Sequence, residues 1–323
     1  MKRFAALAMT FILNNAAFAG EALPGAEDLL LNSHPLAETI WDVAAGEQIS
    51  REELMSRVLS KDHVLLGERH DNPRHHRIQA EVMAALGEAG SRRTVVFEMA
   101  EPEHREVLAA AEKATVDELG TALRWSERGW PDWKIYQVIA EVALTYDFHM
   151  VPGGPSRDLL KAVGQGSDLP KEMADELRWQ QDYRPDQLQS LEQELVDAHC
   201  GILGRESVAP LVPMQRLKDA FMGMLMRRAV DDGQGSVLIA GNGHIRLDRG
   251  VPYYLDDTSS RIAIAPVEVQ RDLENPQDYA SFDPKVYDYI WFTGRVDEVD
   301  PCVKFKDQLE RMKQSHGTAT TSE

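Results

Sequence analysis

Short apolar runs, each closed by a glycine or a carboxylate, alternate along the first third of the chain with stretches of helical periodicity. Val64-Leu65-Leu66 ends at Gly67, and Thr94-Val95-Val96-Phe97 ends at Glu98. Runs of this length and composition predict buried strands. Between them Ile78, Val82, Ala85 and Leu86 fall on one face, behind Asn72 as N-cap and Pro73 at the first helical position. That spacing predicts a helix over 73–86. Shorter helices are predicted over 51–59 and 103–112. The order strand, helix, strand, helix predicts parallel pairing in a sheet.

Helical periodicity then dominates from 116 to 229, with segments over 116–125, 133–145, 171–181, 187–199 and 215–229. In the last of these Phe221, Met222, Leu225 and Met226 form a packing stripe. One strand-like run, 148–151, interrupts the series before Pro152-Gly153-Gly154-Pro155. Strand character returns over 236–240, 261–269 and 287–292. The expected architecture is an α/β fold: a large, mostly parallel sheet flanked by helices, built from 34–167 and 212–311. A small all-helical subdomain is inserted at 168–211, with 116–132 as a further candidate part of it. The polar tail over 312–323 is expected to fray.

Composition narrows the function. The chain has 323 residues, with 35 Lys+Arg against 53 Asp+Glu and a formal net charge of −18. An acidic surface lacks the basic footprint that nucleic acid or anionic lipid requires. Lys2 and Arg3, a short apolar core over 4–13, and Ala17-Phe18-Ala19 have the pattern of a secretory signal peptide over 1–19. The apolar core is too short to span a bilayer. Cleavage at Gly20 would leave a lead-in over 20–33 and a soluble chain, expected in a bacterial periplasm. No cysteine follows the apolar core, so no lipid anchor is expected. Cys200 and Cys302 would meet an oxidising compartment there; pairing and two buried thiols are both compatible with the sequence.

The chemistry concentrates at strand ends. Gly67-Glu68-Arg69-His70 follows one apolar run, and Gly241-Asn242-Gly243-His244 follows another, Val237 to Ala240. In open α/β sheets the carboxyl ends of the strands line the ligand crevice. Both histidines belong at that edge, and Glu98 joins them from a third strand. Glu68, His70, Glu98 and His244 are therefore the expected constellation. His75 and His76 lie in the next helix about 100° apart, so at most one easily faces the crevice. That helix start also suits an anionic ligand group. The segment 125–136 holds three of the six tryptophans and Tyr136. Trp125 and Trp133 read as core, and the segment as a whole as core or as a face for a flat apolar ligand. Lys134 and Tyr136, two apart on a helix, do not face the same way. His199-Cys200 implies no nucleophile pair, and no dinucleotide fingerprint, phosphate loop, nucleophile elbow or H-E-x-x-H motif is present.

The segments Leu65 to Pro73, Val95 to Met99 and Gly241 to Arg246 together resemble the ChaN-like haem-binding family. His199-Cys200-Gly201, the helix from Gln215 and Gly250-Val251-Pro252 are similar too, so the resemblance covers roughly 35–295. It implies haem handling at the cell envelope as part of a haem uptake system, with ferric haem as cofactor. It further implies two stacked haems between two protomers, a tyrosine ligand to each iron, and a His and a Lys of the other protomer on the propionates. An anionic phenolate favours ferric iron. On that basis Tyr136 is the candidate ligand, with Tyr253 and Tyr254 as rivals. Lys134 and His75 or His76 are candidates for the propionates, and His70 and His244 for the same pocket. A homodimer in the haem-bound state and an outer-membrane haem receptor are the implied partners, and no catalytic residue is implied. Lys218-Asp219 stands where the family more often shows Arg-Asp. The family is similar to a wider Tiki/TraB and erythromycin-esterase-like group. That likeness implies the alternative, a metal-dependent hydrolase using Glu68, His70, Glu98 and His244, with a divalent metal on His70, His244 and Glu98.

Overall fold

A computed structural model describes residues 29–299 and 301–304. The expected signal segment, most of the lead-in and the tail lie outside the described residues. The strands are β1 (Ile40–Asp42), β2 (Glu47–Ile49), β3 (His63–Leu66), β4 (Arg93–Phe97), β5 (His149–Pro152), β6 (Gly235–Ile239), β7 (Arg261–Glu268) and β8 (Tyr289–Thr293). The helices that matter to the site are α1 (Arg51–Leu59), α2 (Pro73–Glu88), α3 (Arg105–Ala109), α4 (Val116–Ala122), α5 (Trp133–Thr145), α6 (Arg157–Gly164), α7 (Lys171–Glu176), α8 (Pro185–Ala198), α9 (Arg205–Val208) and α10 (Leu211–Asp231).

β3 is buried at all four positions because it lies inside one sheet, in parallel register with β6 on one side and β7 on the other. The order is β2-β1-β8-β7-β3-β6-β4-β5. The strands from β8 to β5 pair in parallel, while β1 joins β8 and β2 antiparallel at one edge. The α/β fold with a large, mostly parallel sheet flanked by helices is thus the observed one. The edge hairpin of β1 and β2 is new, since three-residue strands carry too little periodicity to be legible.

Alternation along the strands divides the core in two. Val64, Leu66, Val95, Phe97, Val237 and Ile239 face one side and pack with α2, α4 and α5. Leu65, Val96, Leu238 and Ala263 face the other and pack with α10. The aromatic segment belongs to the first layer: Trp125 is buried and its ring lies 4.7 Å from that of Tyr136.

Element ends depart from the periodic expectation where the backbone turns. The helix predicted over 116–125 stops at Ala122, and Arg124 takes φ +51° before a single 3₁₀ turn at Trp125–Arg128. The one predicted over 171–181 stops at Glu176, with Arg178 at φ +56°. The helix predicted from 215 instead begins at Leu211. Pro213 does not prevent this, because it stands in the first turn, where its missing N–H breaks no intrahelical bond. Within it Met222, Leu225 and Met226 are buried, with Phe221 partly so. The segment from Lys171 to Val208 carries helices α7 to α9.

Cys200 and Cys302 form a disulfide with their Cα atoms 5.4 Å apart. It ties the turn after α8 to the segment that follows the last strand, across 102 residues of chain. A crosslink of that span restricts the unfolded chain strongly. Cys200→Ser should therefore lower stability by about 2–5 kcal/mol, read from urea unfolding against the oxidised parent. Equal midpoints for the two would show that the bridge does not form.

Candidate functional site

The carboxyl ends of β3, β6 and β4 are adjacent in the sheet, and each delivers part of one cluster. Glu68 follows β3 and turns into the layer of α2 and α5. One carboxylate oxygen accepts from His70 Nδ1 at 2.7 Å and from the Tyr136 hydroxyl at 2.5 Å. The other accepts from Gln79 Nε2 at 2.8 Å and stands 3.3 Å from His76 Nδ1. Burial would raise the Glu68 carboxyl, but His76 and His70 overcome it and hold it below the usual carboxylate range. In return Glu68 raises His70 against the lowering effect of burial.

Glu98 follows β4 and turns towards α10. Its Oε1 lies 3.0 Å from His244 Nε2 and 3.7 Å from Lys218 Nζ, and its Oε2 accepts from the Gly241 backbone N–H at 2.9 Å. His244 Nδ1 meets Asp219 Oδ1 at 2.5 Å. The imidazole is thus clamped between two carboxylates, with Gln215 Nε2 3.1 Å from its Nε2. Burial alone would lower its pKa, yet Glu98 and Asp219 raise it to about 10. Burial would raise Glu98, but His244 and Lys218 hold it well below the ordinary value. Asp219 is pushed up by burial against the pull of His244.

The two halves meet at Gly241. A Cβ placed there would stand 3.3 Å from His70 Nε2 and 3.7 Å from Glu98 Oε2. Trp130 sets its ring edge-on to His70 at 5.1 Å and is itself partly buried. The four residues expected at the strand ends, Glu68, His70, Glu98 and His244, therefore share one rim.

The other candidates lie elsewhere or serve another purpose. Tyr136 is fully buried, with its phenol committed to Glu68. Burial and Glu68 push that phenol well above its ordinary value. Lys134 is exposed on the same helix. Neither His75 nor His76 opens to the crevice. His75 accepts from the Arg69 N–H at 2.8 Å and meets Thr293 Oγ1 at 2.9 Å, and burial holds its pKa well below normal. His76 places Nε2 3.0 Å from the His70 carbonyl and Nδ1 3.1 Å from Gln79 Oε1. Both brace the Glu68 loop. Tyr254 is also fully buried, and Tyr253 donates to the Asp182 carbonyl at 2.9 Å. At the start of α2 the Asn72 side chain accepts from the Arg74 N–H at 2.9 Å and donates to Glu268 at 2.8 Å. Among the described residues, no three His, Cys, Asp or Glu side chains are disposed to hold a metal ion together.

Four contributors escaped the sequence reading as site residues: Gln79, Gln215, Lys218 and Asp219. Gln79 stands three residues after His76 on α2. The other three share one polar face of α10, spaced 215, 218 and 219, inside a helix otherwise marked by its apolar stripe. That polar face, buried at Asp219, was the available signal.

The sequence profile described as "Haem-binding uptake, Tiki superfamily, ChaN" matches residues 54–255, more than half of the chain. The chain belongs to this family. The match takes in every residue of the rim. A solved structure titled "Cofacial heme binding to ChaN of Campylobacter jejuni" superposes with a TM-score of 0.60 at 20% identity, covering 78% of this chain and 95% of that one. At that identity the likeness shows a shared fold. The type III effector HopBA1 is similar at a TM-score of 0.42 and 13% identity, over 75% of this chain and 92% of its own, too weakly to carry an argument. No curated protein matches the chain.

The clamp on His244 makes this ChaN-family fold sensitive to alkali. Its folded pKa, about 10, lies above the roughly 6.5 of an unfolded histidine. The stability it contributes is complete below the unfolded value and is lost as pH rises through about 10. Urea midpoints should fall over that window by an amount worth a few kcal/mol. Asp219→Asn removes one of the two charges, so the loss should end at lower pH and be smaller. A midpoint flat across the window would show that His244 is neutral.

Proposed function

We propose that this chain is a haem-binding protein of a bacterial haem uptake system, taking ferric haem at the carboxyl edge of β3, β6 and β4. Membership of the haem-binding uptake family supports the reading. The observation that carries it is the His70 imidazole, whose side chain is 36% exposed at the rim while its partner Glu68 is completely buried. The residues present fit a haem. His70 offers a reachable donor atom, Trp130 beside it a flat apolar wall, and Lys218, one-third exposed, a cation for a propionate.

The protein works in the periplasm, after cleavage of the segment over 1–19, and forms a homodimer around its ligand. An outer-membrane haem receptor is its partner in uptake. Supporting this are the charged start, apolar core and small-residue cleavage pattern of the sequence. The disulfide between Cys200 and Cys302 also suits an oxidising compartment. Haem chemistry here consists of holding iron, with no reaction step required of the protein. Glu68, held by Gln79 and Tyr136, fixes the orientation of His70 at the rim.

Haemin titration of the protein, followed by absorbance and size-exclusion chromatography, tests the reading. A saturable Soret change together with a shift from monomer to dimer is expected. A linear, unsaturable change with no size shift would refute it.

A further inference from the structure

We propose that the Cys200–Cys302 bridge is a redox-controlled latch: oxidised, it holds α8 against the loop that carries His244, and reduced by a dithiol, it releases the helix from that wall of the rim. Packing and chain connectivity carry this assignment, and it holds for any ligand at the rim. α8 touches the loop directly. A Cβ at Gly243, next to His244, would stand 2.8 Å from Glu194 Oε1. Arg249, further along the same loop and only 2% exposed, pairs with Glu194 and donates to Ser190 Oγ at 3.2 Å.

Apolar packing does not hold α8 in this place. Of its 14 residues only Gln187 and Leu191 are buried. Leu188 is exposed, and Leu195 and Val196 are only partly covered. Its neighbours add little: α7 and α9 bury one apolar residue each, Ala174 and Val208. A helix of this length is marginal on its own in water, and most of its stability has to come from burying an apolar face. Between α8 and the loop lies an open polar cleft of about 550 Å³, lined by Ser190, Glu194 and Asp197 on one side and Arg246 and Arg249 on the other. At the N-terminal end of the helix Gln187 donates to the Asp248 carbonyl, and Tyr183 just before it donates to the Arg249 carbonyl. At the C-terminal end the hold is covalent, through Cys200 to the segment beyond β8. An element with so few buried apolar contacts is among the first to open locally.

The bridge is placed to be reached. Both cysteines are partly exposed, and access to sulfur is what thiol–disulfide exchange requires. Cys200 takes φ +57°, followed by Gly201 at φ +66°. A residue with a Cβ is held in the left-handed region at a cost, so opening the bridge removes one of the constraints that keep this turn. A thiolate of the dithiol attacks one sulfur, the S–S bond breaks to leave a mixed disulfide, and the second thiolate displaces the remaining cysteine. In sum two electrons and two protons pass to Cys200 and Cys302, which become thiols, and the dithiol becomes a disulfide. The end of α8 then keeps only its polar contacts, and Glu194 is free to leave Gly243 and Arg249. The strands that deliver Glu68 and Glu98 are buried inside the sheet and do not depend on the bridge.

Hydrogen–deuterium exchange of the folded protein, read by mass spectrometry before and after treatment with dithiothreitol, tests the proposal, with thiol alkylation reporting the state of the bridge. Without reductant neither cysteine should label. With dithiothreitol under native conditions both should label, and amides over 185–198 and 241–250 should lose protection while those of β3, β4 and β6 keep it. The double variant Cys200→Ser with Cys302→Ser should show the same pattern without reductant and no further change with it. Four results would each overturn the latch. The cysteines label without reductant, so no bridge forms. Dithiothreitol opens the bridge only after denaturation. The bridge opens and α8 stays as protected as before. Protection falls evenly across the sheet, which makes the bridge a staple of the whole fold. None of these readouts involves haemin, so the haem reading stands or falls separately.

Discussion

Two carboxylates buried at the ends of neighbouring parallel strands impose the demand that the rest of the site meets. Glu68 and Glu98 are almost wholly withdrawn from water. An unpaired buried charge costs several kcal/mol, so each has to be surrounded by donors. Glu68 takes them from the α2–α5 layer, through His76, Gln79 and Tyr136, and from its own loop through His70. Glu98 takes them from the α10 layer, through Lys218 and through His244 held on Asp219, and from the Gly241 backbone. The sheet edge is therefore braced from both faces, and the two halves touch at Gly241.

This arrangement separates two kinds of histidine. His244 is wholly internal; its charge neutralises carboxylates, and its place is structural as much as functional. His70 has the same kind of carboxylate partner on one side and open rim on the other. The difference lies in which residues follow each strand. The chain after β6 closes back on itself, with the Val251 N–H on the His244 carbonyl at 2.7 Å. The chain after β3 passes through the charged residues Arg69 and Asp71 before α2 begins, with Arg69 tied to Glu268 and Asp71.

The fold class was legible because its signals are local. Apolar runs ending in glycine or glutamate fixed β3, β4 and β6, and a strand-end position is enough to assign Glu68, His70, Glu98 and His244 to one edge. The edge hairpin of β1 and β2 was not legible, since three residues show no period. Helix ends at Ala122 and Glu176 were missed because Arg124 and Arg178, not glycines, take the left-handed turns.

What the sequence determined by itself was thus the sheet, the family to which the motifs point, and which strand ends gather the buried carboxylates and histidines. What only the tertiary structure decided was how the polar groups pair. Tyr136, suggested for iron by its setting, is buried with its hydroxyl on Glu68. His75 and His76 turned inward as well, and three residues of α10, together with Gln79 of α2, entered the site unannounced. The pairing of Cys200 with Cys302 was settled in the same way. The physical reason is common to all of them. Burial and strand position follow from patterns a few residues long, whereas a hydrogen-bond partner is set by distance between segments that the chain brings together only when the layers pack.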